Sequence, residues 1–309
     1  MNITQRQLRM FVTTAAHGNI SRASESLHIT QPALTRALKE FEAQISTVLF
    51  ERTTRRLSLT PEGEKFLPTA QRLLTDLNEA AERLNTQASL AQGSVTLAVG
   101  TAFGTLCLPG VLASVRAKHP GLRLRLIDAN SGGIVQRVLH AEADLGIASL
   151  SGDTGALVCQ KLLTAPLGLL ANPDFFPLKS QAREKDLSDY PLLKEGDDTS
   201  IMQMLRMRGS DLVARMEGGI EVSSLSMQLA LAQAGVGVAV VSALGASHPQ
   251  ARRLKFSPLK PAIKREVFLV HRRDRPLSAS ARALREALVA TARTADAHPS
   301  IEFAQNRAR

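Results

Sequence analysis

Apolar residues in the first sixty positions recur with a helical period. Leu8, Phe11, Val12 and Ala15 share one face behind Thr4 and Gln7, which are spaced as a capping box, and Gly18 ends the segment. Ser21 is placed to cap a second helix, with Ala23 and Leu27 turned inward. Thr30 can cap a third, and Pro32 falls in its first turn, where a missing N–H is harmless. Leu34, Leu38, Phe41 and Ile45 then form one buried stripe, while Gln31, Pro32, Thr35, Arg36 and Lys39 occupy a different arc. Leu49-Phe50 begins a strand, ERTTRR makes a basic tip, and LSLT returns to Pro61. The pattern predicts three helices and a wing. A rigid helix carrying amide, hydroxyl and cationic groups fits a DNA major groove. It fits an ordinary amphipathic helix equally well, so this helix alone does not decide.

From Glu62 to about Leu90 there is no proline except Pro68 and no glycine after Gly63. Phe66, Ala70, Leu73, Leu77, Ala80 and Leu84 step by four and three, a heptad-like seam that Leu74 and Ala81 widen. Two such helices side by side would hold two reading heads at a fixed separation. The alternative is a single helix packed on its own domain. Gln92-Gly93-Ser94 reads as a short hinge.

Beyond Ser94 strands alternate with helices. Strands are expected at 95–100, 122–129 and 144–150, with helices between them, which implies a parallel sheet with right-handed crossovers. A second set begins near Gly168: GLLA, YPLLK, a helix from about Ser200, GIEV, the helix SSLSMQLALAQAG, and VGVAVVS. REVFLVH, near Arg265, is a strand returning to the first lobe, and LSASARALREALVATAR is its closing helix. The domain plan is therefore a winged unit at 1–61, a linker helix at 62–92 and a two-lobed α/β unit at 93–309. Lobe I takes about 93–167 and 268–296, and lobe II about 168–267. The last dozen residues are expected to be disordered.

Two α/β lobes joined by crossover strands enclose a cleft at the C-terminal ends of the strands. The loops there are predicted from strand ends and helix starts. They offer Thr101, Ala102, Phe103, Asn130, Ser131, Ser149, Thr199, Ser200 and Ser223. Hydroxyls and N–H groups at helix N-termini suit a carboxylate or other anion, so a small organic anion is the expected ligand. Each hydroxyl taken singly also serves as a plain N-cap.

A formal net charge of +10 favours an anionic partner. It matters here because Arg36, Lys39, Arg52, Arg55 and Arg56 gather around the third helix and the wing, where they can straddle a phosphate backbone. Two cysteines, Cys107 and Cys159, are too few for a disulfide scaffold and fit a reducing compartment. They read as small buried hydrophobes or as a redox pair. No apolar h-region opens the chain and no apolar run spans a bilayer, so the expected location is cytoplasmic, with no membrane partner. His119, His248 and His298 each precede proline, which suggests helix ends and loops. Met202, Met204 and Met207 are expected to pack a helix of lobe II. No phosphate loop, dinucleotide fingerprint, metal-ligand spacing or nucleophile motif is found, so neither an enzyme nor a cofactor or metal is expected.

The N-terminal pattern Leu8, Phe11, Ala15, Gly18, Ser21, Ala23, Leu27, Thr30-Gln31-Pro32-Ala33, Thr35, Phe41-Glu42, Leu49-Phe50, Arg52, Leu59-Thr60 and Gly63 resembles the winged helix-turn-helix of LysR-type transcriptional regulators. The chain departs from that pattern at Gly18-Asn19, Ala23-Ser24 and Ile45-Ser46, where the family often has Gly-Ser, Ala-Ala and Leu-Gly. The C-terminal part resembles the family's periplasmic-binding-protein-like effector domain more loosely, at His119-Pro120, Ala143-Asp144-Leu145-Gly146-Ile147 and Ala234-Gly235-Val236-Gly237. Ser242 stands where the family often has proline. The resemblance implies double-stranded operator DNA as partner, contacted by Ser21, Gln31, Pro32, Ala33, Thr35, Arg36, Lys39, Arg52, Arg55 and Arg56. It further implies a small-molecule effector and a homodimer through the linker helix that pairs into homotetramers. RNA polymerase is a candidate partner. The rival readings are a solute-binding protein without DNA function and an enzyme with an inter-lobe cleft. Steep weakening of binding with salt would separate phosphate contact from capture of a neutral solute.

Overall fold

The computed structural model describes residues 3–52, 57–84, 93–187, 190–291 and 296–304. They form an N-terminal and a larger C-terminal compact unit. In the first, α1 (Gln5–His17) starts with the capping box: Thr4 accepts from the Gln7 N–H at 3.3 Å, and Gln7 Oε1 accepts from the Thr4 N–H at 2.9 Å. Gly18 closes it at φ 56°, a conformation glycine adopts without strain. α2 (Ile20–Ser26) is capped by Asn19, whose side-chain oxygen accepts from the Arg22 N–H at 3.1 Å. The cap expected at Ser21 therefore lies two residues earlier, because Asn is as good a cap as Ser and follows the turning glycine directly. α3 (Gln31–Gln44) begins at Thr30, with Pro32 in its first turn, and buries Leu34, Leu38 and Phe41. Ile45, the last member of the expected stripe, is its half-buried C-cap.

β1 (Phe50–Arg52) pairs antiparallel with β2 (Leu57–Leu59) to form the wing stem. The Phe41-Glu42 pair ties that stem to α3. Glu42 Oε1 accepts from the N–H groups of Leu49 at 2.8 Å and Phe50 at 3.0 Å, while Phe41 enters the core. Thr60 donates to the Val48 carbonyl and accepts from the Gly63 N–H. At Gly63 an added Cβ would lie 2.3 Å from the Leu49 oxygen, so only glycine lets α4 (Pro61–Leu84) start this close to the wing. The α4 seam divides. Phe66, Ala70 and Leu74 pack into the winged unit's own core, while Leu73 and Leu77 stay 44% and 48% exposed. The side chains of Ala80 and Leu84 lie outside the described residues, as does 85–92.

Ser46 follows α3 at φ 53°, where an L residue is strained and glycine is not. Ser46→Gly is expected to stabilise the N-terminal unit by about 0.5–1 kcal/mol. Denaturant unfolding of both proteins reads this directly, and an unchanged midpoint would contradict it.

The C-terminal unit starts with β3 (Ser94–Val99), α5 (Thr101–Lys118), β4 (Arg123–Asp128), α6 (Ser131–Leu139) and β5 (Leu145–Ala148). β3 pairs in parallel with both β4 and β5, as the alternation predicts. Asp144, just before β5, ties that strand to β3 by accepting from the Thr96 N–H at 2.7 Å. β6 (Leu157–Ala171) is a 15-residue strand running through both lobes, whose first part the hydropathy pattern left unassigned. It leads to β7 (Leu192–Glu195), α7 (Ser200–Met207), α8 (Asp211–Met216), β8 (Glu221–Val222), α9 (Leu225–Gln233), β9 (Val238–Ser242), α10 (Ala243–Ala246) and β10 (Lys255–Pro258). β11 (Lys264–Arg272) returns antiparallel to both β5 and β6, and α11 (Ala279–Thr291) covers lobe I. The sheet order is β4-β3-β5-β11-β6-β9-β7-β8, a two-lobed arrangement joined through β6 and β11.

Three local expectations are corrected. The tail is ordered through 304: β12 (Glu302–Phe303) pairs with β6 and Ile301 is buried, because β6 offers a free edge there. Met202 is buried and Met204 packs beside it, but Met207 is 72% exposed at the end of α7. Cys107 is buried, whereas Cys159 is exposed, so only the first is a buried hydrophobe.

Candidate DNA-reading face and ligand cavity

The stripe that buries α3 dictates what its other side shows. With Leu34, Leu38 and Phe41 inward, Gln31, Pro32, Ala33, Arg36 and Lys39 are exposed and Thr35 is half-buried. Gln31, Pro32, Thr35, Arg36 and Lys39 line one shallow depression, with Ile20 and Glu40 at its rim. Ser21 is half-buried on α2. Among the expected wing contacts, the Arg52 side chain, Arg55 and Arg56 lie outside the described residues.

The second site lies between the lobes of the C-terminal unit. A cavity of about 360 Å³ is lined by Thr101, Ala102 and Phe103 at the start of α5, and by Asn130 and Ser131 at the start of α6. Thr199 and Ser200 line it at α7, and Ser223 and Ser224 before α9. Topology brings these distant loops together, since each follows a strand that ends at the cleft. Ser149 does not line the cavity. It is 7% exposed, and its N–H donates to the hydroxyl of Ser131, which does line the cavity, at 3.1 Å.

Several of the hydroxyls are already engaged. Thr101 donates to Asp128 at 2.9 Å, and Thr199 caps α7 by accepting from the Met202 N–H at 3.3 Å. Asn130 caps α6 through the Gly133 N–H at 2.8 Å. By contrast α5, preceded by Gly100, and α9, preceded by Ser224, have no side-chain cap, and both N-termini face the cavity. Their unpaired N–H groups carry partial positive charge. Across the cleft Asn130 donates to Asp198, and Ser151 donates to Gln203 at 3.0 Å, so polar contacts already join the lobes.

Sequence reasoning missed the charged groups of the lining, Asp128, Glu195 and Arg265, and the amide of Gln228. Burial raises the Glu195 pKa above the ordinary carboxylate range, opposed by a hydrogen bond from Thr199 and the charge of Arg265. Burial lowers that of Arg265, opposed by Glu195. The Arg265 Nε and both polar atoms of the Gln228 amide are buried without hydrogen-bond partners. The only sequence signal was an amide inside the otherwise apolar run of α9 and an arginine opening the returning strand. The remaining wall is mostly apolar, including Phe103, Ile134, Ile147, Val241, Leu244 and Val267, and also contains Ser242.

The cysteines offer no matched pair. Burial pushes the Cys107 thiol up to about 12, which removes the reactive thiolate at neutral pH. A thiol reagent at pH 8 is expected to modify the exposed Cys159 in the folded protein and Cys107 only after denaturation. Peptide mapping of the labelled protein decides, and fast labelling of Cys107 would contradict this. Among the described residues no group of three or more His, Cys, Asp or Glu is arranged to hold a metal ion, and no helix is long and apolar enough to cross a membrane.

A winged helix-turn-helix followed by a two-lobed ligand domain defines a class of DNA-binding regulators. Residues 5–64 match the family described as "Bacterial regulatory helix-turn-helix protein, lysR family", and residues 88–293 match "LysR substrate binding domain". The chain is 28% identical over 301 residues to a RuBisCO operon transcriptional regulator of Allochromatium vinosum, covering 94% of this chain and 97% of that one. It is 27% identical over 276 residues to the uncharacterized regulator YbhD of Escherichia coli, covering 89% and 87%. Its fold is similar to a full-length OxyR variant from Pseudomonas aeruginosa (TM-score 0.67, 23% identity, all of both chains). It is also similar to full-length CbnR complexed with its target DNA (TM-score 0.66, 19% identity, 94% of this chain and 100% of that one). The chain belongs to the LysR family: it is a LysR-type DNA-binding transcriptional regulator with a substrate-binding domain.

Proposed function

We propose that this regulator acts in the cytoplasm and controls its target genes in response to a small organic anion bound between the two α/β lobes. The observation that carries this reading is the cavity onto which α5 and α9 both direct uncapped N-termini. A carboxylate there satisfies N–H groups that otherwise lack partners, and the apolar walls take the rest of a small molecule. Gln31, Pro32, Ala33, Thr35, Arg36 and Lys39 read bases or hold phosphates, with Ser21 and wing residues Arg52, Arg55 and Arg56 on the backbone. The exposure of the α3 face supports this assignment. Leu73 and Leu77, exposed on α4, support a homodimer through that helix, with homotetramers and RNA polymerase contact as further expectations. A dimer matches a two-fold operator.

The test is footprinting of the purified protein on its own upstream intergenic DNA across a salt series. A protected two-fold site that weakens steeply with salt is expected. Small carboxylates should then change the footprint or raise the melting temperature of the C-terminal unit. Protection of a single half-site would remove the dimer, and indifference to every carboxylate would remove the anion.

A further inference from the structure

Gln228 is 1% exposed on α9, lines the cavity, and has neither Nε2 nor Oε1 hydrogen-bonded. A buried amide in this state is unfavourable, and a natural chain rarely keeps one without a partner that arrives later. Because both atoms are free, exchanging the oxygen and nitrogen of the amide does not alter the conclusion. A ligand made only of acceptors, such as a simple carboxylate, can engage Nε2 but must leave Oε1 unpaired. The other polar groups of the lining include both donors and acceptors. Arg265 Nε–H and the helix N-termini are donors, whereas Glu195 and Asp128 present carboxylate oxygens.

We propose that the cavity selects a small monocarboxylate that also carries an N–H or O–H donor, as in a hydroxy or amino acid. Gln228 receives the donor through Oε1, and Arg265 with the N-termini of α5 and α9 holds the carboxylate. This rests on the anion-binding reading above and narrows it. Apolar walls around Phe103, Ile134 and Leu244 fit a short hydrocarbon or aromatic body between the two polar ends.

The experiment uses the full-length protein and matched pairs differing only by the donor: butyrate with 3-hydroxybutyrate, benzoate with 3-hydroxybenzoate, and 3-phenylpropionate with 3-phenyllactate. Thermal-shift titration should show the donor-bearing member of at least one pair acting at roughly tenfold or more lower concentration. Gln228→Met, nearly isosteric and without hydrogen-bonding capacity, should erase that preference. It should also raise the melting temperature of the ligand-free protein by removing the unpaired amide. Equal response to both members of every responding pair overturns this inference and leaves the carboxylate reading intact. No response to any compound overturns both. A preference that survives in Gln228→Met shows that the donor is received elsewhere and overturns the role of Gln228.

Discussion

Phe11→Ala is expected to cost the N-terminal unit about 3–5 kcal/mol, the range for emptying a closed aromatic site. Phe11 is fully buried and its ring meets Phe50 and Phe66 at centroid distances of 5.4 Å and Phe41 at 6.3 Å. Those partners come from the wing stem, α4 and α3, so one truncation loosens several of the elements that position the reading helix. A unit this small can have a total stability of only about 5–15 kcal/mol, and the loss is a large part of it. Calorimetry of the full-length variant should show the N-terminal transition moved far down in temperature while the C-terminal transition stays. DNA affinity should fall with the former, and ligand-induced stabilisation should persist with the latter. A destabilisation below about 1 kcal/mol would mean that the site collapses around the cavity and that the aromatic cluster does not hold the unit together.

Arg36→Ala is the second large effect, and it falls on affinity instead of stability. Arg36 is exposed on α3, opposite the buried stripe, so its removal should leave folding within about 0.5 kcal/mol. Operator binding should weaken by about 1–3 kcal/mol if the guanidinium reaches a base edge, with relaxed preference at one position and an unchanged salt slope. A phosphate contact instead weakens all sequences alike and lowers the magnitude of the salt slope by about 1. Titration of operator and scrambled duplexes at several salt concentrations separates the two. An unchanged affinity with an unchanged slope would remove Arg36 from the reading face.

The legibility of the two units differs for a physical reason. In the winged unit the determinants are local: the Thr4–Gln7 box, the Thr30 cap, Pro32 in the first turn and the apolar stripe of α3 each act within a few residues. Even the departures were readable as chemistry. Asn19 replaces one capping side chain with another, and Ser46 keeps the left-handed geometry that glycine would hold without strain. The α4 seam shows the limit. Its period announces an apolar face, yet only packing decides that Phe66, Ala70 and Leu74 serve the unit's own core while Leu73 and Leu77 are left outside.

The cavity divides in the same way. Loop hydroxyls at strand ends could be found from the order of elements, because parallel crossovers place all such loops at one edge. Ser149 shows that this rule names an edge and not a lining, for it is buried and does not line the cavity. Arg265, Glu195 and Gln228 had no motif to announce them, since each looks like an ordinary polar residue in a strand or helix.

By itself, then, the sequence determined the three helices of the winged unit, the caps at Thr4 and Thr30, the polar face of α3 and the alternation that builds two α/β lobes, because short-range periodicity and backbone chemistry settle those. Tertiary structure alone decided three further things. β6 is shared by both lobes, the tail adds a strand at 302–303, and an orphaned amide, a guanidinium and two carboxylates converge on one cavity. Each of these depends on residues far apart in the chain, and no local period records which distant partner a side chain will meet or fail to meet.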